Sequence, residues 1–309
     1  MKIDVIIPNY NGTNLIKKNL KKVLEIFPKD VNVIIVDDAS DSGQVKELKK
    51  FINDLKSNRV KVLYEEKNMG FSSTANKGAF SSNADFIFFL NSDAIPESNF
   101  LQVLIKSFNK DKNLFGVGCL DKSVEKEGVV LRGRGLGGWK RGFLIHSKGE
   151  VNSSDTFWIS GGSSIMRKEI FDKIGGFDTL FNPFYWEDID LSYRAQKAGY
   201  RVKFEKEAAV VHYHEEGAIK KHFSSSEVKK IAYRNQFIFI WKNITDLNLL
   251  TSHVGWLPYY FLRALLSLDF EFFSGFIIAL LALPAIIDKR QKQKKLFVKK
   301  DKEIINSVK

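Results

Sequence analysis

Three places in the chain put carboxylates where they can do chemistry. Asn91-Ser92-Asp93 follows five apolar residues, Phe86-Ile-Phe-Phe-Leu90, and a carboxylate held at the end of such a strand is able to meet a cation or a phosphate. Asp37-Asp38 closes a second apolar run, Val31-Asn-Val-Ile-Ile-Val36. An Asp there can accept a hydrogen bond from a nucleobase N–H while a cation bridges diphosphate oxygens to Asp93. Glu187-Asp188 follows Trp186 in an aromatic stretch bent by Pro183. Desolvation beside those rings would raise the basicity of a carboxylate towards what proton abstraction requires. Each group also has a plain structural reading. Asn, Ser, Asp and Pro favour strand-to-turn junctions, and acidic residues favour the first turn of a helix. Asp190 and Arg194, four apart, are assigned to an i,i+4 ion pair.

These residues need a scaffold that brings strand ends together. Ile3-Asp-Val-Ile-Ile-Pro8 is a short apolar run that passes through Asn9-Tyr-Asn-Gly12 into a Lys-rich amphipathic segment, residues 15–27. The second run leads into helical periodicity over 44–55, and Val60-Lys-Val-Leu-Tyr64 leads through Asn68-Met-Gly-Phe71 into a helix over 72–79. Strands alternating with helices at this spacing predict βαβ units and a mostly parallel sheet covered on both faces. Right-handed crossovers then bring Pro8 to Asn11, Asp37-Asp38 and Asn91 to Asp93 to one edge. No Gly-x-Gly-x-x-Gly follows the first strand and no Gly-Lys-Ser/Thr occurs, so a nucleotide here is not held by a glycine cradle.

The 309 residues, 44% hydrophobic, are enough for one large domain and an appendage. Of the net charge of +12, a surplus arises late, where residues 288–309 hold nine Lys or Arg against three Asp or Glu. The lone Cys119 excludes a disulfide within the chain and a multi-cysteine zinc site. No signal peptide is evident, and a cytoplasmic setting is expected. The segment 131–142, rich in Gly and Arg, reads as a mobile flap for phosphates or as an exposed loop. Beyond an amphipathic helix at 227–241 come two apolar blocks, 254–262 and 272–287, each shorter than the roughly 20 residues of a spanning helix. Edge aromatics and the basic tail fit helices lying in the interface of an anionic bilayer; a re-entrant hairpin or a dimer contact is the alternative. Deletion beyond about Ser252 is then expected to leave a soluble domain that still binds its ligand.

Taken together, the motifs resemble family 2 glycosyltransferases of the GT-A fold, in particular the bacterial rhamnosyltransferase-like branch. The resemblance rests on Val5-Ile-Ile-Pro-Asn-Tyr-Asn-Gly12, Ile35-Val-Asp-Asp-Ala-Ser40, Asn68-Met-Gly-Phe-Ser-Ser-Thr-Ala-Asn-Lys-Gly78, Leu90-Asn-Ser-Asp93, Gly161-Gly-Ser-Ser-Ile-Met-Arg167, Gly175-Gly-Phe-Asp178 and Trp186-Glu-Asp-Ile-Asp-Leu-Ser-Tyr-Arg194. They occur in family order over about the first 215 residues, and Tyr233-Arg-Asn-Gln-Phe237 adds a branch-like segment.

The resemblance implies an α/β GT-A domain over 1–225; the apolar blocks and basic tail make 226–309 a helical, membrane-associating region, expected on the cytoplasmic face of the cell membrane. The resemblance also implies a nucleotide-diphosphate sugar donor, dTDP-rhamnose or a UDP-hexose by analogy, and a glycan or polyprenyl-linked acceptor. No nucleic-acid partner is implied, and a homo-oligomer is possible. Asp37 would accept from the base, with Pro8 and Tyr10 walling the nucleoside; Gly70, Asn76, Asn91 and Ser92 would complete the donor site. Asp93 and His212 would hold Mg²⁺ or Mn²⁺, with Asn91 standing where the family's Asp-x-Asp motif has its first carboxylate. His212 fits the family histidine better than His214, the alternative being a partly buried histidine with one hydrogen bond. Asp188 would be the general base of an inverting displacement, with Glu187 as second candidate or acceptor ligand, and Gly162 and Trp186 would meet the acceptor. Two other classes share this architecture. A sugar nucleotidylyltransferase would show a Gly-rich, Arg-containing loop after the first strand, which Pro-Asn-Tyr-Asn-Gly does not resemble; a catalytically idle scaffold fits the loss at Asn91 but not the intact Glu187, Asp188 and Asp93.

Overall fold

The computed structural model describes residues 1–109, 111–213 and 223–308. The first half runs β1 (Ile3–Asn9), α1 (Thr13–Ile26), β2 (Asn32–Asp37), α2 (Ser42–Leu55), β3 (Val60–Tyr64), α3 (Phe71–Phe80), β4 (Phe86–Leu90), β5 (Ala94–Pro96) and α4 (Phe100–Asn109). Then come β6 (Leu114–Glu125), β7 (Gly128–Arg132), β8 (Gly135–Lys140), β9 (Phe143–Lys148), β10 (Ser163–Arg167), α5 (Lys168–Lys173), a 3₁₀ turn (Thr179–Phe181), α6 (Glu187–Lys197) and β11 (Arg201–His212). Five helices close the chain: α7 (Ser225–Asn243), α8 (Leu247–Leu266), α9 (Phe270–Leu281), α10 (Leu283–Lys294) and α11 (Asp301–Ile305). His214 lies outside the described residues.

The main sheet has the order β3-β2-β1-β4-β10-β6-β11-β5, with β7 beside β6. Every residue of β4 is buried, as a strand covered on both faces requires. Ile16, Leu20 and Val23 of α1 pack on one face of the sheet, their spacing of four and three residues forming the helix's apolar stripe. On the other face, a Cβ at Gly78 would lie 2.5 Å from Ile6, so the glycine lets α3 approach β1 closely. The parallel arrangement expected from sequence holds for β3-β2-β1-β4. Beyond it the sheet is mixed: β10 runs antiparallel to β4 and β6, β11 parallel to β6, and β5 antiparallel to β11.

Two expectations are corrected here. Residues 131–142 are not a free flap. They form the end of β7 and the strand β8, which pairs with β9 in a hairpin. Its glycines have a packing reason: a Cβ at Gly135 would meet the Trp158 ring at 2.3 Å, and one at Gly137 would meet the Phe157 ring at 2.5 Å. The arginines are engaged as well, Arg134 with Asp155 at 2.9 Å and Arg141 over the rings of Trp256 and Tyr259.

Nor is the C-terminal region a separable appendage. Lys242 of α7 is buried and ion-paired to Asp178 (2.7 Å) and Asp190 (2.5 Å), while Arg194 holds the other oxygen of Asp190 at 2.7 Å. The Asp190–Arg194 pair expected from spacing is thus half of a larger buried network. Further on, Asp301 accepts from Tyr193 Oη (2.5 Å), Lys197 Nζ (2.8 Å) and the backbone N–H groups of Thr245 and Asp246 (2.6 Å each), so the basic tail folds back onto α6. One continuous apolar cluster joins Phe157, Trp186 and Tyr193 to Phe237, Phe239, Phe272 and Ile304.

Candidate active site

The strand ends converge as the topology demands. Pro8 and Tyr10 stand partly exposed at the end of β1. Beneath them Asn9 Nδ2 donates to Asp37 Oδ2 at 2.8 Å, and Ser40 adds its N–H (3.0 Å) and hydroxyl (2.7 Å) to the same carboxylate. Asp37 is 1% exposed and braces the ends of β1 and β2, so the expectation of an open acceptor for a base is revised. The neighbouring Asp38 accepts the N–H groups of Met69 (2.7 Å) and Gly70 (2.9 Å), fixing the entry to α3; burial raises its carboxyl and these bonds oppose the rise.

Gly70 and Asn76 are likewise braces and not open donor contacts. A Cβ at Gly70 would lie 2.9 Å from Pro183 Cα, and Asn76 spends its whole amide on the backbone of Phe177 at 2.7 and 2.9 Å. Their shared effect is to clamp α3 to the loop that leads into α6.

Asn91 and Ser92 sit partly exposed between β4 and β5, their turn held by Asn19 Nδ2 on the Ser92 carbonyl at 2.8 Å. The N–H of Asn91 donates to the Gly162 carbonyl at 2.9 Å, and its side chain covers Gly162 so closely that a Cβ there would lie 2.4 Å away. Gly162 is therefore buried beneath the donor-side turn, a correction to its expected acceptor contact. Asp93 faces His212, which β11 delivers by pairing with β5 in the register His212 to Ala94. His212 Nε2 lies 2.9 Å from Asp93 Oδ1 and Nδ1 lies 2.8 Å from Asp121 Oδ2. Burial pushes the imidazole down, but the bonds to Asp121 and Asp93 outweigh it and raise the group to about 9. Two carboxylates thus clasp the ring, one at each nitrogen.

Both ring nitrogens of His212 are engaged, Nε2 with Asp93 and Nδ1 with Asp121, so a cation beside Asp93 would have to take the place of the proton on Nε2. Among the described residues no three His, Cys, Asp or Glu groups gather to hold an ion. The pair fits a hard cation that takes few protein ligands and completes its shell with phosphate oxygens and water, and Asn91 supplies no second charge.

At the other side of the site, Tyr185 and Trp186 both adopt left-handed backbone conformations (φ 69° and 74°), a sharp turn that opens α6 with Glu187 and Asp188. Glu187 is buried, and its Oε2 has no partner among the described residues. Burial, then the charge of Asp188, raises Glu187 well above the ordinary carboxylate range. Burial also raises Asp188, to about 6, against the backbone N–H groups of Ile189 and Gly161 that lower it. Gly161 joins the two halves: it touches Asp188, and the next residue pairs with Asn91. Trp186 itself is 7% exposed, packed edge-on against His146 and at a tilt against Phe239. Several functional neighbours escaped the sequence reading. Asp121 sits within a long strand with no motif around it, and Lys242 is one lysine in an amphipathic helix.

The sequence profile described as "Glycosyl transferase family 2" matches residues 4–175, more than half of the chain. The chain belongs to this family. Among curated relatives, it is 24% identical over 220 residues to the pre-mycofactocin glycosyltransferase of Mycobacterium tuberculosis, covering 69% of this chain and 43% of the relative. It is 27% identical over 219 residues to the O-antigen chain rhamnosyltransferase WbaN of Salmonella anatum, covering 68% and 65%. The chain thus spans less than two thirds of the length of these relatives. Among solved structures, S. aureus TarS 1-349 in complex with UDP-GlcNAc superposes with a TM-score of 0.61 at 17% identity, over 99% of this chain and 91% of that one. GalNAc-T7 with UDP, GalNAc and Mn²⁺ gives 0.63 at 16% identity, over 83% and 54%. At such identities the structural likeness establishes the GT-A fold of this family 2 member.

Proposed function

We propose that this family 2 member transfers a sugar from a nucleoside-diphosphate sugar to a hydroxyl of a glycan or polyprenyl-linked acceptor in cell-surface polysaccharide synthesis, with inversion. The observation that carries the reading is the placement of Glu187 and Asp188 at the start of α6, behind the left-handed turn at Tyr185 and Trp186, with Glu187 Oε2 buried and without a partner among the described residues; burial raises both carboxyls, Asp188 to about 6. Asp188 takes the acceptor's hydroxyl proton as that oxygen bonds to the anomeric carbon. The bond from that carbon to the diphosphate oxygen breaks with its electron pair, and nucleoside diphosphate leaves. Glu187, whose Oε2 has no partner among the described residues, hydrogen-bonds the acceptor and fixes it. Pro8 and Tyr10 flank the nucleoside, and Asn91 and Ser92 reach the diphosphate. Asp93, and His212 once the proton on its Nε2 is displaced, would hold Mg²⁺ or Mn²⁺, whose charge would stabilise the departing diphosphate. Solved relatives of the fold were crystallised with Mn²⁺ and a nucleotide or nucleotide sugar, which supports this choice.

The reading extends to the cytoplasmic face of an anionic membrane. Among the described residues no single helix is long and apolar enough to span; α9 and α10 pass that test only as a pair bent by 63°. Support comes from a run of exposed apolar side chains, Leu262, Leu265, Leu266, Leu268, Phe270 and Leu281, between Trp256 and Tyr259 on one side and the lysines of α10 on the other. Inserted aromatics with flanking cations are the pattern of interfacial helices. Flotation with anionic and neutral liposomes tests it: salt-sensitive flotation only with the anionic vesicles is expected, whereas a soluble dimer at low salt would assign the face to self-association.

For the reaction, a panel of nucleotide sugars is assayed with membrane extract as acceptor. Release of nucleoside diphosphate supports transfer. Pyrophosphate release would indicate nucleotidyl transfer, and release of neither across the panel would indicate an idle scaffold.

A further inference from the structure

The β8–β9 hairpin has no role in the reaction so far, yet it carries His146 to within ring contact of the residue that precedes Glu187. The imidazole lies 5.0 Å from the Trp186 ring at 89° and 5.5 Å from the Trp158 ring at 84°. Trp186 is buried beneath it, Trp158 is half-buried beside it, and the residue His146 remains exposed. Among the described residues no hydrogen bond reaches either ring nitrogen of His146. Burial of the ring among the indoles pushes its titration down, which favours the neutral imidazole with its one donor and one acceptor. The support is rigid. Gly135 admits the Trp158 ring, Gln236 of α7 donates to the Leu144 carbonyl at 3.3 Å, and Phe143 packs on Phe237.

From this arrangement we infer that His146 and Trp158 form the acceptor sugar subsite. The exposed part of the Trp158 indole takes the apolar face of a pyranose ring, His146 hydrogen-bonds its hydroxyls, and Trp186 fixes the imidazole over the carboxylate pair. An apolar wall with a few fixed polar groups is the usual make-up of a small-ligand site, and an aromatic ring supplies such area at little entropic cost. The chemical class is a hexopyranoside at the end of a glycan or lipid-linked chain. The inference rests on the transferase reading above, and its test separates the two.

Saturation-transfer NMR with a panel of octyl α- and β-hexopyranosides, on the full chain, reads the subsite; titration with UDP and dTDP in the presence of Mn²⁺ reads the donor side. Wild-type protein is expected to bind at least one glycoside, His146→Ala to lose tenfold or more in its affinity, and His146→Gln to recover part of the loss. Nucleotide affinity should stay unchanged in both variants, which shows that the fold survives the loss of the ring contacts to Trp158 and Trp186. Glycoside binding undiminished in His146→Ala, or no panel member binding the wild type, overturns the subsite. Failure of both nucleotides to bind the wild type would strike the transferase reading instead.

Discussion

Lys242 Nζ lies 2.5 Å from Asp190 Oδ1, and both side chains are withdrawn from solvent. The contact joins α7 to the helix that presents the candidate base, and Asp178 and Arg194 close the network around it. Removing Lys242 leaves, among the described residues, Asp190 with Arg194 and Asp178 with only Lys289 at 3.4 Å, so two buried carboxylates lose the cation they share. Lys242→Met should therefore cost about 3–5 kcal/mol of stability, read as a lower urea midpoint with an unchanged slope. A midpoint within error of wild type would show that the network is dispensable.

The same reasoning reverses the expectation that the chain can be cut near Ser252. Such a cut removes Asp301 from Tyr193 and Lys197 and removes Arg290 from the carbonyls of Trp241 and Lys242 (3.0 and 3.3 Å). The truncated protein should aggregate or lose cooperative unfolding, as circular dichroism would record. A soluble fragment with a sharp melting transition would contradict this. Burial pushes the Asp301 carboxyl up, but Lys197 and Tyr193 hold it below its ordinary 3.8. Its contribution is thus present above that value and is lost as the pH falls below it, so acid should release the tail.

The pH profile of turnover should follow Asp188. Burial sets its carboxyl at about 6, and only the ionised form accepts a proton. The expected kcat/KM is flat above pH 7 and falls about tenfold per unit below 6. A profile still flat at pH 5 would remove Asp188 from the role of base.

Much of this arrangement was legible in the residues. Apolar runs ending in polar groups marked β1, β2 and β4, because a strand buried on both faces leaves few alternatives for its sequence, and the acidic start of α6 stood out after Pro183. Apart from the i,i+4 pair of Asp190 with Arg194, what stayed hidden was the partner of each polar group. Asp37 and Asp93 occupy equivalent strand ends, yet one turns inward to Ser40 and the other faces His212. That difference depends on side chains brought from distant positions. The hairpin reads from sequence as a flap or an exposed loop because glycine signals mobility in isolation; here its missing Cβ atoms make room for Phe157 and Trp158.

Asp93 and His212 predict a donor affinity that depends on a divalent cation. Calorimetric titration of nucleotide should show binding at least tenfold weaker in EDTA than in Mn²⁺, and Asp93→Ala should abolish the difference. Equal affinity of the native protein under both conditions would refute a cation at this pair.

The most direct test of the account is Asp188→Asn assayed twice, for donor affinity and for acceptor-dependent release of nucleoside diphosphate. The substitution keeps size and hydrogen bonding but removes the proton acceptor, while Pro8, Tyr10, Ser92 and Asp93 remain on other strand ends. Donor affinity within a few-fold of wild type with turnover reduced at least a thousandfold is the predicted result, in the upper part of the range attributed to a positioned base, roughly 10²–10⁴. Turnover retained within a few-fold of wild type would contradict it.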